Sequence, residues 1–135
     1  MIVDTGALLA YFNRQEPDHA AVASAIETAV EPLVVPPYVV AELDYLLVTR
    51  LGVEAEAAAL AELAGGAWDL PAFGADDLAM ARDLVERYAD QAIGVADASI
   101  VVLAARYGTL TVATLDRRHF DVLRPLGGGR FTVVP

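Results

Sequence analysis

Five short apolar runs separated by helix-like stretches constrain this chain more than any other feature. The runs are MIVD at 1–4, PLVVP at 32–36, WDLPAF at 68–73, TLTVATLD at 109–116 and RFTVV at 130–134. The third is the weakest. Between them lie TGALLAYF and PDHAAVASAIETA, which read as helices, and PPYVVAELDYLLVTRLG, a helix opened by Pro36 and Pro37 and closed by Gly52. VEAEAAALAELAGG is Ala/Leu/Glu-rich and stops at Gly65 and Gly66, and GADDLAMARDLVERYAD is a further helix. GVADASIVVLAARYG is apolar nearly all round, so it is expected to be buried, and it ends at Gly108. RRHFDVLRPLGGG gives a short turn or helix and a loop. Such alternation favours an α/β domain, a parallel sheet with helices on both faces. A chain of 135 residues without repeat or linker suits one domain spanning 1–135.

In an open parallel sheet, sites form outside the carboxyl ends of the strands. Asp4 ends the first run and Asp116 follows the VAT of the fourth, so neighbouring strands bring the two carboxylates together. Asp97 stands near the start of the buried helix, and Glu42 lies early in the helix after PLVVPP. Each of Asp4, Asp97 and Asp116 also precedes or opens a helical stretch, where aspartate caps free N–H groups and meets the positive end of the helix dipole. Glu42 lies about 100° to one side of the stripe formed by Val39, Val40, Leu43, Leu46 and Leu47, and Asp44 about 100° to the other. Periodicity does not choose between them.

Clustered carboxylates repel, by about 4 kcal/mol per pair at ~4 Å and an effective dielectric near 20. A fold keeps such a cluster if it is protonated or holds a cation, and an all-oxygen site suits Mg²⁺ or Mn²⁺. The composition removes other chemistries. There is no Cys, hence no disulfide or thiolate metal site, and an intracellular home is expected. All nine basic residues are Arg, so no P-loop or Schiff-base lysine exists, and there is no GxGxxG. His19 and His119 are far apart and in no metal-spaced motif, so both are expected at the surface. The N-terminus lacks a basic region and no apolar run reaches the roughly 18–20 residues of a bilayer span, so neither a signal peptide nor membrane association is expected, and a cytoplasmic protein is.

The net charge of −10 argues against a general nucleic-acid coat. Its distribution is uneven. Residues 1–105 carry four Arg and seventeen acids, a balance of −13, and residues 106–135 carry five Arg and two acids, a balance of +3. The tail is a candidate for phosphate contact, or an ordinary solvated basic surface.

VDTGALLAYF with Asp4, PPYVVAELDYL with Glu42, IGVADASIVVLAARYG with Asp97 and TLDRRHF with Asp116 resemble the four acidic motifs of PIN-domain ribonucleases, in the order and spacing of the VapC-type toxins of bacterial toxin–antitoxin pairs. The resemblance covers essentially the whole chain, GGGRFTVVP included. It implies a PIN-like three-layer α/β/α domain with a central, mostly parallel sheet of four to five strands. It also implies an Mg²⁺-dependent endoribonuclease, with Mn²⁺ as substitute, that cuts structured RNA, usually a tRNA or a ribosomal RNA loop. It selects Glu42 over Asp44, and it implies that the Thr114 hydroxyl supports the acidic cluster. Gly6 departs from the Ser of many relatives, which leaves Thr5 or water to substitute. On this reading Asp4 and Asp97 are the principal ligands, Glu42 and Asp116 act directly or through water, and an activated water attacks phosphorus in line. Arg117 and Arg118 are candidates for the RNA backbone. The implied partners are a VapB-type antitoxin, whose C-terminal segment crosses the site, and a second copy of the chain in a homodimer, with higher toxin–antitoxin assemblies.

Two other readings fit parts of the sequence. DTG after apolar residues also marks aspartic proteases, but that fold is almost all β. A non-catalytic PIN-like module that binds RNA or protein is the alternative within the same fold, although it has no need of four clustered acids.

Overall fold

The computed structural model describes all residues, 1–135. Its sheet is built from β1 (Ile2–Val3), β2 (Thr111–Ala113) and β3 (Thr132–Val134), in the order β1-β2-β3 and parallel throughout. Ile2 pairs with Val112 and Val3 with Ala113, and β3 pairs Thr132, Val133 and Val134 with Thr111, Val112 and Ala113. Two more lanes extend the sheet on the far side of β1. Val34 bridges Ile2, and Asp69 bridges Val34, both parallel. The expected four to five strands therefore exist as three strands and two single-residue bridges. The second and third runs are cut short by Pro32, Pro36 and Pro71, which have no N–H to give a ladder.

Around the sheet stand α1 (Thr5–Phe12), α2 (His19–Glu27), α3 (Pro37–Leu51), α4 (Val53–Leu63), α5 (Ala75–Arg87), α6 (Val95–Tyr107) and the short α7 (Arg117–Val122). Every helix expected from the sequence is present. Pro37 opens α3, where its missing N–H costs no hydrogen bond. Gly108 ends α6 at φ 63°, a left-handed conformation that glycine takes without strain.

Successive residues of a strand face opposite sides of the sheet. Ile2 and Val3 are both fully buried, as are Val34 and Val35, and Val112 and Ala113, so the centre of the sheet is covered on both faces. Helix α6 lies against β1 and α2 against β2. Ala98 to Ala104 of α6 are buried without a break, as an all-round apolar helix requires. Tyr11, Phe12 and Trp68 close one end of the core with edge-on and tilted ring contacts.

Candidate active site

Because β1 and β2 are parallel neighbours, the residues just beyond their C-terminal ends emerge at one edge of the sheet. The Asp4 N–H donates to the Ala113 carbonyl at 2.9 Å, which locks the end of β1 to the end of β2. Asp4 then caps α1, its Oδ1 accepting from the Thr5 N–H at 2.7 Å. Its other oxygen, Oδ2, accepts from the Thr114 hydroxyl at 2.7 Å, and the same hydroxyl accepts from the Asp116 N–H at 3.0 Å. Thr114, buried, thus connects two of the acids. Glu42, from the second turn of α3, accepts from the Thr5 hydroxyl at 2.8 Å. Asp97 lies in the first turn of α6 and takes a backbone hydrogen bond from Gly94. Asp116 caps α7 through Arg118 N at 3.2 Å.

All four acids line one open pocket of about 1000 Å³. The capping role open for Asp4 and Asp116 is real, and the same side chains also face the pocket. Asp44 does not line it: its carboxyl meets that of Glu56 on α4 and raises the Glu56 pKa. Tertiary packing thus separates Glu42 from Asp44 where periodicity could not.

The electrostatics differ around the pocket. Asp4 is 8% exposed, and burial pushes its pKa up to about 6 against the Thr114 and Thr5 hydrogen bonds, with the charges of Asp97 and Glu42 adding to the rise. Burial also raises Asp97; His119 opposes this, while Glu42 and Asp116 reinforce it. Asp116 is held below the usual carboxylate range, chiefly by hydrogen bonding to Arg118, whose Nε and Nη2 stand 3.2 Å from its two oxygens. No arginine reaches Asp4, so nothing cationic in the chain balances the buried carboxylate.

The donors fit a hard divalent ion: they are carboxylate oxygens with threonine hydroxyls behind them. As the side chains stand, no three acidic or histidine groups are drawn together closely enough to hold one ion. Glu42 is turned to Thr5 and Asp116 to Arg118.

Arg117 and Arg118 both line the pocket. Arg117 donates to the Pro135 carbonyl, and Arg118 forks onto Asp116. Gly6 lines it too, and a Cβ there would rest in ordinary contact with Leu115, so packing does not dictate the glycine.

One residue corrects the reading of the sequence. His119 is not a plain surface histidine: it lines the pocket, its Nδ1 3.0 Å from Asp97 Oδ2 and 3.8 Å from Asp116 Oδ2. Its position three residues after Asp116, the cap of the same helix, is a signal that could have placed it there. His19 stays outside, bonded through Nδ1 to the Ala10 carbonyl at 2.8 Å. Tyr45 and Leu115 are further pocket residues; they lie inside the Glu42 and Asp116 motifs, which give them no role.

Comparison with known proteins agrees with this architecture. The PIN domain family model matches residues 1–124. Ribonuclease VapC26 of Mycobacterium tuberculosis is 63% identical over 135 residues, the full length of both chains. Among solved structures, the sarcin–ricin loop cleaving toxin VapC20 of Mycobacterium tuberculosis superposes with a TM-score of 0.86 at 20% identity, over 99% of this chain and 98% of that one. FitAcB from Neisseria gonorrhoeae gives 0.62 at 21% identity, over 89% and 90%. At such identities the two structures speak for the fold. The whole-length sequence match goes further, and the chain belongs to the PIN-domain family, among the VapC ribonucleases.

Proposed function

We propose that this protein is the toxin of a toxin–antitoxin pair and acts as an endoribonuclease dependent on Mg²⁺, with Mn²⁺ as substitute, hydrolysing phosphodiester bonds in structured RNA such as a tRNA or a ribosomal RNA loop. One observation carries the reading. Asp4, Glu42, Asp97 and Asp116 come from four distant segments to one pocket, and the most buried of them has no cationic partner. Membership of the VapC ribonucleases supports the same activity.

Asp4 and Asp97 would be the principal ligands, and Glu42 and Asp116 would complete the set directly or through water. A divalent ion held there would offset charge on the phosphodiester and make a nearby water a better nucleophile for in-line attack. Thr114 fixes the Asp4 carboxylate and Thr5 fixes Glu42, so both acids are oriented before substrate arrives. Arg118 neutralises Asp116 in the free protein and turns to the RNA backbone in the complex, with Arg117 beside it. A VapB-type antitoxin silences the site by laying a basic or aromatic C-terminal segment across it, and the toxin is a homodimer within larger toxin–antitoxin assemblies. No helix is long and apolar enough to cross a membrane.

The test is incubation of the purified chain with a structured RNA pool in Mg²⁺, in Mn²⁺ and in EDTA. Cleavage in both metals and none in EDTA is expected. Absence of metal-dependent cleavage at every protein concentration would defeat the nuclease reading.

A further inference from the structure

The acidic floor is only part of the pocket. On α3, three residues beyond Glu42 and so on the same side of the helix, Tyr45 lines it too. The side chain is 67% exposed, so most of its ring is open to the pocket and solvent. The aromatic pairs of the molecule all join other rings, so Tyr45 presents its face to no aromatic neighbour. Leu115, 38% exposed and next in sequence to Asp116, lines the same pocket. Arg117 and Arg118 stand beside it. Aromatic, acidic and basic side chains therefore share one open volume.

We propose that Tyr45 is a stacking platform for an unpaired nucleobase next to the scissile phosphate, which makes it a substrate-positioning residue of this site. The inference rests on the ribonuclease reading above and adds to it the part of the RNA that is held. Proteins that hold single-stranded RNA pair a charged groove for the backbone with exposed aromatic rings for the bases. Here the phosphate belongs over the carboxylates and their cation, and the arginines meet the flanking backbone. A base leaving its stack beside that phosphate meets the Tyr45 ring, one helical turn from Glu42. Stacking tolerates any base, so Tyr45 selects for an unpaired nucleotide rather than for a sequence. That directs cleavage to loops.

The experiment uses RNA stem–loops with 2-aminopurine placed in turn at each loop position. Binding in Ca²⁺ is read from fluorescence, and cleavage of the same RNAs is read in Mn²⁺, for the wild type, Tyr45→Phe and Tyr45→Ala. Quenching at one loop position is expected in the wild type and in Y45F. Y45A should lose that quenching and about 10-fold in affinity and in kcat/KM, within the roughly 5- to 150-fold that base–aromatic stacking spans, at an unchanged melting temperature. If the wild type quenches but does not cut, the nuclease reading fails and the stacking platform stands. If Y45A binds and cuts like the wild type, the platform is overturned, and loss of self-association in that variant would assign the ring to a protein surface instead. Absence of quenching at every position in the wild type also overturns it.

Discussion

The Thr114 hydroxyl donates to Asp4 Oδ2 at 2.7 Å, across 110 residues of chain. The bond is buried, and its oxygen also receives the Asp116 N–H. Thr114→Val keeps the shape and removes both. Leaving buried polar groups unsatisfied costs about 1–3 kcal/mol, so melting temperature should fall, and Thr114→Ser should restore most of it. A valine variant as stable as the wild type would show that the bond is not holding the two strand ends.

Asp4 also sets a pH dependence. Its pKa rises from 3.8 unfolded to about 6 folded. A raised carboxyl contributes stability that is fully present below the unfolded value and is lost as pH rises through the folded one. Metal-free protein should therefore lose stability from Asp4 as pH climbs between about 4 and 6, and Asp4→Asn should flatten that part of the profile in thermal melts.

Protons and cations compete for the same oxygens. Mg²⁺ or Mn²⁺ should raise the wild-type melting temperature more at pH 7.5 than at pH 5, and less in Asp4→Asn or Asp97→Asn. Both variants should keep or gain metal-free stability. Their cleavage should fall by more than the roughly 10–100-fold typical of losing a residue that only orients a ligand. A large drop in metal-free melting temperature would assign these aspartates to helix capping alone.

Glu42 and Asp44 are two residues apart and face different neighbours, Thr5 and Glu56. Glu42→Gln should abolish cleavage, whereas Asp44→Asn should leave it intact and relax the carboxyl contact between α3 and α4. Kinetics of the two variants side by side give the answer, and equal losses would refute the assignment.

Arg118 holds Asp116 and is itself 87% exposed. Arg118→Ala should leave folding stability within about 0.5 kcal/mol of the wild type. Divalent-ion affinity without RNA should tighten, because Asp116 is released. KM for RNA should rise, and the salt dependence of binding should shallow by about one charge. Calorimetric titration of Mn²⁺ and RNA binding across a salt series measure the two effects.

Much of this architecture is legible in the sequence because strand ends and helix starts are local signals. MIVD and TLTVATLD announce β1 and β2, and parallel pairing then brings Asp4 and Asp116 to one edge. The lanes at Val34 and Asp69 shrink to bridges because prolines flank them, a sign also present in the sequence. The choice of Glu42 over Asp44 is not available from α3 alone, since both flank the apolar stripe evenly; α4 separates them. His119 escapes a reading that weighs it against His19, far away in sequence, rather than against Asp116 one turn before it.

The pairing of β1 with β2 also bears on how the protein is made. The first strand is central to the sheet, yet its inner neighbour on one side begins only at Thr111. Asp4 precedes Thr114 by 110 residues, and Asp116 follows Thr114 by two. A nascent chain shorter than this holds some of the carboxylates but no pocket, and chains emerge N-terminus first. In vectorial synthesis the acidic pocket therefore closes only after Thr114 and Asp116 have joined the end of β1.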